Sequence, residues 1–251
     1  MSALAGEGFV AIWHDVAPEG RADYYEWHNR EHMPERANVP GFIRGRRYLA
    51  EKGSPEYFNL YEVETVGVLT SAAYLERLNN PTPLTRRTVV HIRNTARSLC
   101  RVAASLGSGS GGTLMTWQLE AAPDGEAALV EWLRERLPAL LAQPGVIAAH
   151  IGIADRAGSN LMTEERKMRG TATQVPGVIV LVEGISAAAL EAAGERELAA
   201  AGLRAHGAID PIQSAIYRLE TDVAKSQAAH RHADAALPAV SQDVSDPQAD
   251  R

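Results

Sequence analysis

The stretch Glu26-Trp27-His28-Asn29-Arg30-Glu31-His32-Met33-Pro34-Glu35-Arg36 carries the residue types that move protons. Two imidazoles that titrate near neutrality stand four residues apart with carboxylates around them, which is the material of general acid–base catalysis. In a helix, residues three and four apart share a face, so Tyr24, His28, Glu31 or His32, and Glu35 fall on one line. A helix that only covers a sheet would carry apolar residues there. This face therefore meets water or lines a cavity. The string His28-Asn29-Arg30-Glu31-His32 also matches the H-x-x-E-H signature of a zinc-protease helix. His28, His32 and one of Glu31, Glu35 or His14 would be the ligands of such a site. Pro34 follows at once and the surrounding pattern is not that of a zinc protease, so a site without metal is expected.

The elements that must position this helix read in order. The apolar run Phe9 to Trp13 is a strand, ended by His14, Asp15 and the turn Pro18-Glu19-Gly20. The helix, roughly residues 21 to 37, stops before Pro40-Gly41. Phe42 to Glu51 and Tyr57 to Val63 form a hairpin around Gly53-Ser54-Pro55. A second helix, Leu69 to Leu78, breaks at Asn79-Asn80-Pro81, and after a connecting piece with Arg86, Arg87 and His91 a fourth strand runs from Ala96 to Ala103. The order β-α-β-β-α-β is the ferredoxin-like unit of an α+β fold.

Beyond the Gly/Ser-rich segment 107–112, which reads as a linker, the pattern recurs. Leu114 to Gln118 echoes Ala11 to His14, Glu131-Trp132 echoes Glu26-Trp27, and Pro144-Gly145-Val146 echoes Pro40-Gly41-Phe42. Val180 to Glu183 answers Asn59 to Glu62, and Ile216 to Leu219 answers Leu99 to Val102. The chain reads as two tandem repeats, 8–106 and 113–221, followed by a tail, 222–251, of disordered composition. In the second repeat Leu129, Leu133, Leu137 and Leu140 stand where the first has Tyr24, His28, His32 and Glu35 or Arg36, since a one-residue gap blurs the last match. The first repeat thus holds the chemistry and the second mainly the scaffold. Residues 156–176 are an insertion of the second repeat, a lid or a solvated loop.

Composition bounds the rest. A net charge of −6 gives no help in binding polyanions, and Arg44, Arg46 and Arg47 lack the aromatic interleaving of a nucleic-acid reader; a solvated outer face accounts for two of them. The lone Cys100 excludes an internal disulfide framework and reads as a small buried residue. No apolar run approaches membrane-spanning length and the first residues lack a signal-peptide pattern, so a cytoplasmic protein is expected, with no membrane partner. Trp13 and Trp27 read as core, and His230 and His232 in the tail have no supported metal role.

The motif Trp27-His28-Asn29-Arg30-Glu31-His32-Met33-Pro34-Glu35-Arg36, with Val39-Pro40-Gly41-Phe42 and Arg47-Tyr48, resembles the EthD-like branch of the dimeric α/β-barrel superfamily. The resemblance covers residues 8 to 104; the second repeat resembles only the fold, which implies a fused pseudo-dimer. It implies two four-stranded sheets closed into a barrel with helices outside, and a ligand cleft between sheet and helix. His28, Glu31 and His32 would then face His14, Tyr48 and Tyr61, with Tyr24 and Glu35 completing a binding site. The expected function is cofactor-independent acid–base catalysis, by an isomerase, cyclase or lyase, on a small hydrophobic aromatic or cyclic metabolite. One histidine would act as base, Glu31 or Glu35 would orient it, and Tyr48 or an arginine would hold the oxyanion. Alternatives from the same resemblance are a cofactor-free monooxygenase and a non-catalytic barrel holding haem or another small ligand. A reading without chemistry has His28 and His32 bracing the barrel by hydrogen bonds. A pseudo-dimer closes one barrel by itself, so monomer and homodimer both fit.

Overall fold

A computed structural model describes residues 4–225. Eight strands form one closed antiparallel barrel: β1 (Gly8–Val16), β2 (Phe42–Lys52), β3 (Tyr57–Val63), β4 (Ile92–Gly107), β5 (Thr113–Ala121), β6 (Val146–Ala154), β7 (Val178–Gly184) and β8 (Ala208–Ala224). Around the barrel the order is β1-β3-β2-β8-β5-β7-β6-β4. The first four strands in sequence thus make one half and the last four the other, each in the neighbour order of a ferredoxin-like sheet. Two seams join them, β2 to β8 and β4 to β6. Strand β8 continues three residues past the expected repeat end, so the expected disordered tail overlaps a strand at 222–224; the remainder of that tail from residue 226, with His230 and His232, lies outside the described residues.

The helices pack outside. The first half carries α1 (Arg21–Trp27), a π turn at His28–His32, α2 (Met33–Ala37), α3 (Ala72–Asn79) and α4 (Pro83–Val89). The second carries α5 (Glu126–Leu141), α6 (Arg156–Ser159), α7 (Glu164–Arg169), α8 (Ala187–Glu197) and α9 (Ala200–Ala205). Helix α4 occupies what sequence alone suggests is a connection, although its start is written in the chain: Thr82 accepts from the Thr85 N–H and Pro83 follows at the first turn. Both Pro-Gly turns need the left-handed region, with φ +87° at Gly41 and +83° at Gly145.

Alternation along the strands divides the core. Inward residues such as Phe9, Trp13, Tyr48, Phe58, Leu60, Cys100, Leu181 and Tyr217 fill the barrel with side chains from both halves. Outward residues pack under the helices. In the second half Leu129, Leu133, Leu137 and Leu140 are all buried in one continuous cluster under α5, each contributing roughly 1.5–3 kcal/mol. Cys100 is fully buried, and burial holds its thiol protonated.

The arginine run on β2 departs from expectation. Arg46 and Arg47 are buried, and Arg44 is partly so. A closed barrel buries the inward side of every strand, so Arg46 enters the barrel and finds carboxylates. It donates to Glu62 at 2.9 Å and to both oxygens of Glu183 at 3.1 Å, joining the two halves. Arg44 adds a 2.6 Å contact to Glu62, the Ala5 N–H a further 2.8 Å bond, and the Gly111 N–H one of 2.8 Å to Glu183. His150, 3.5 Å from the carboxylate, and the Arg46 guanidinium hold the Glu183 carboxyl at a pKa of about 2 despite its burial. Replacing Arg46 by Met should cost about 3–5 kcal/mol, because two buried carboxylates lose their shared cation. Urea unfolding measures this; a loss below 1 kcal/mol would mean the pair of carboxylates is otherwise neutralised.

Candidate active site

Helices α1 and α2 run on through the π turn as one rod. The Met33 N–H donates to the His28 carbonyl, five residues back. The cause lies one residue on: Pro34 has no N–H for the Arg30 carbonyl, and its ring would crowd that carbonyl in an α ladder. A π turn takes in one more residue than an α turn, so side chains spaced by four stay on one face. Tyr24, His28, His32 and Arg36 accordingly line a single cavity of about 50 Å³ between the rod and β1, β3 and β4. The extra residue is visible in the chain: Trp27 stands thirteen residues before Pro40, whereas Trp132 stands twelve before Pro144.

Of the residues expected in the site, His14, Tyr24, His28, His32 and Tyr61 line the cavity; Glu31, Glu35 and Tyr48 do not. The π turn rotates both glutamates off the face. Glu31 accepts from Thr82 Oγ1 at 2.5 Å and Thr85 Oγ1 at 3.1 Å, bracing α4 against the rod. Glu35 pairs with Arg36 and Arg77 at the surface edge, and burial raises its pKa. Tyr48 points into the barrel, where it packs against Phe58, and its neighbour Arg47 takes the outward position.

Arg47 decides the state of His28. A guanidinium can only donate, and its Nη1 lies 3.2 Å from His28 Nδ1. Nδ1 therefore accepts, and the imidazole proton sits on Nε2, which faces the Tyr61 hydroxyl at 3.4 Å. The Tyr61 oxygen accepts a hydrogen bond from that N–H and keeps its own O–H free to donate into the cavity. The same guanidinium donates to Asn29 Oδ1 at 2.7 Å and Glu220 at 3.0 Å.

The rings of His14, Tyr24, His28 and His32 follow one another with centroids 5.4, 5.1 and 5.4 Å apart, and Trp27 covers His32 at 4.1 Å. His14 Nε2 meets the Tyr24 hydroxyl at 3.1 Å, leaving Nδ1 without a partner. His32 differs from both: Nδ1 is buried and unpartnered, and among the described residues the other ring nitrogen makes no hydrogen bond either. All three imidazoles are held neutral. Desolvation and the field of Arg169 lower His14 to about 3; desolvation with Arg47 lowers His28, and desolvation with Arg36 lowers His32.

The insertion of the second half covers part of the cavity. Helices α6 and α7 lie across it, and Arg36 donates to Glu165 of α7 at 2.5 Å, both side chains buried. The insertion is thus a cover with its own charged residues in the wall. Four arginines, Arg36, Arg97, Arg166 and Arg169, face one carboxylate, Glu165, among the lining residues. None of these was singled out as a site residue from sequence; only the reading of residues 156–176 as a lid or a solvated loop touched on the cover.

No metal set assembles around the H-x-x-E-H string. Glu31 is turned away, His28 Nδ1 is taken by a cation, and no group of three suitable ligands occurs among the described residues. Among the described residues, no helix is long and apolar enough to cross a membrane.

No family model and no curated relative matches the chain. Solved structures do. An anthrone oxidase-like protein superposes with a TM-score of 0.63 at 16% identity, over 90% of this chain and 96% of the other. A candidate monooxygenase from Fusobacterium nucleatum subsp. nucleatum ATCC 25586 gives 0.55 at 8% identity, over 88% and 96%. A candidate chlorite dismutase gives 0.52 at 12%, over 89% and 99%. At such identities the likeness establishes the fold, that of the ferredoxin-like dimeric α/β barrels.

The neutral histidines have a thermodynamic consequence. Below the ordinary value of 6.5 the unfolded chain binds protons that folded His14, whose pKa is about 3, refuses. His28 and His32 shift in the same direction. Stability is therefore full above that ordinary value and falls as pH drops, by ~1.4 kcal/mol per pH unit for each histidine. Urea midpoints should decline steadily as the buffer is taken from neutral towards pH 4; a flat profile would show the rings protonated in the fold.

Proposed function

We propose that this protein is a cofactor-independent enzyme that takes a proton from a small, one-ring phenol, enol or cyclic ketone and stabilises the resulting anion. One observation supports this above the others: His32 sits in a covered, arginine-flanked cavity with free ring nitrogens, four residues from a histidine whose tautomer is fixed. A neutral imidazole can accept a proton, and its low proton affinity reverses once an anion forms beside it. The substrate proton passes to His32, and the electron pair left behind delocalises onto the substrate oxygen. The free O–H of Tyr61, backed by His28 Nε2–H, donates to that oxygen, and the charge of Arg36 lowers its energy. Arg47 is a positioning residue that keeps His28 a donor.

The anion has two fates. Reprotonation at another carbon gives the isomerase, cyclase or lyase chemistry expected from sequence; transfer of an electron to dioxygen gives an oxidase or monooxygenase. The structural neighbours carry oxidase and monooxygenase names, which favours the second. We read the chain further as a fused pseudo-dimer of the EthD-like branch, on its repeat landmarks and the matching strand order of its halves.

The test uses hydroquinone, resorcinol and 1,3-cyclohexanedione in D₂O, with ring deuteration followed by NMR and oxygen uptake by electrode. Catalysed deuteration without oxygen uptake selects the isomerase branch, and uptake selects the oxidase branch. His32→Ala should lose about 10²–10⁴-fold in either rate, with an unchanged or raised melting temperature. An unaltered rate in that variant would remove His32 from the mechanism.

A further inference from the structure

The end of the cavity away from His32 holds a group of polar atoms that the proton chemistry does not use. Arg169 Nε, Thr173 Oγ1, Thr95 Oγ1 and His14 Nδ1 are all buried, line the cavity and have no hydrogen-bond partner. The backbone brings them together. The register of β1 against β4 slips between Trp13 and Asp15, a bulge that sets His14 against Thr95. The chain after α7 is then pinned beside Thr95: the Gln174 N–H donates to the Thr95 carbonyl at 3.0 Å, and the Arg97 N–H to the Gln174 carbonyl at 2.9 Å. Thr173 therefore flanks Thr95, with Arg169 four residues earlier on the cover.

The other cavity arginines are occupied. Arg36 pairs with Glu165 and Glu35, Arg166 donates to the Ser159 and Leu161 carbonyls, and Arg97 donates to the Tyr74 hydroxyl at 3.2 Å. Arg169 alone among them has no hydrogen bond or ion pair within the described residues. A buried donor left unmade costs about 1–3 kcal/mol, and more when charged. Several together, all donors or able to donate, describe the complement of an anionic oxygen pair.

We infer that Arg169, Thr173 and Thr95 form a carboxylate-binding subsite, so that the substrate is a small ring acid with its reactive carbon or hydroxyl at His32 and its carboxylate under the cover. This deepens the proposed function and rests on it for the orientation of the ring. Arg169 Nε–H and the two threonine hydroxyls donate to the carboxylate oxygens; His14 Nδ1, in its protonated tautomer, gives a further donor. The charge of Arg169 acts most strongly on His14 and that of Arg36 on His32, as two ends of one cavity require. The second half of the chain thereby sets substrate specificity for a site whose proton chemistry belongs to the first.

Calorimetric titration with salicylate and its neutral isostere salicylamide tests this without any need for turnover. The wild type should bind salicylate roughly tenfold to a hundredfold more tightly than salicylamide, the worth of charge-assisted hydrogen bonds. Arg169→Gln should abolish that preference while leaving salicylamide binding in place, Arg169→Lys should keep part of it, and Thr95→Val and Thr173→Val should each reduce it. A melting curve for each variant separates loss of the cover from loss of the subsite. Equal binding of acid and amide by the wild type, absence of binding by both, or an undiminished preference in Arg169→Gln would overturn the inference. Each of those results leaves the His32 exchange assay intact, and a failed exchange assay leaves the acid-over-amide preference measurable.

Discussion

Closure of the barrel is the constraint from which the remaining features follow. Eight antiparallel strands with both seams hydrogen-bonded leave no free edge, and the halves cannot separate without exposing Arg46 and its two buried carboxylates. Fixing the halves also fixes what each can offer the other. The insertion after β6 emerges beside β4, across the seam, and lies over the helix of the opposite half. A cover supplied from the neighbouring unit requires that the two units hold one register.

The electrostatics of the cavity follow a single logic. Desolvation strips protons from three imidazoles, and nearby guanidinium groups reinforce that by repulsion. The site is then rich in positive charge and in neutral bases. Such a site gains most when a ligand brings or develops negative charge, because repulsion among the arginines is relieved and the proton affinity of the histidines recovers. The carboxylates that sequence reasoning placed beside the histidines would work against this, and the fold turns both away: Glu31 becomes a brace for α4 and Glu35 a surface partner for arginine.

Much of this was readable from the residues. Strand order, the β2–β3 hairpin and the singular character of the histidine helix come from periodicity and turn signals, which act locally and survive tertiary packing; β4, read as Ala96 to Ala103, runs instead from Ile92 to Gly107, its far end drawn out by pairing with β6 across the seam. The histidines, Tyr24 and Tyr61 reach the cavity as read. What escaped reading involves geometry that periodicity does not encode. An α-helical count assigned Glu35 rather than Arg36 to the face, since nothing in a 3.6-residue period announces a wider turn except a proline placed just after it. Tyr48 was assigned to the cleft, but β2 turns Arg47 outward and Tyr48 inward. Arg169 and Thr173 could not be connected to the site at all, because their approach depends on a seam formed by residues far away in the chain.

The comparison of Trp27–Pro40 with Trp132–Pro144 leaves a final point about helix length. One half spans that interval with an unbroken leucine-lined helix, and the other takes one amino acid more, absorbed as a widened loop of backbone. Within a packed helix, then, a gain of length too small to disturb the sheet re-aims every side chain downstream of it. An alignment that treats such a gap as noise would match Leu140 to Glu35 and overlook the arginine that occupies its place. For barrels of this kind, gaps inside helices merit the same scrutiny as substitutions, because they redistribute which residues a cavity can see.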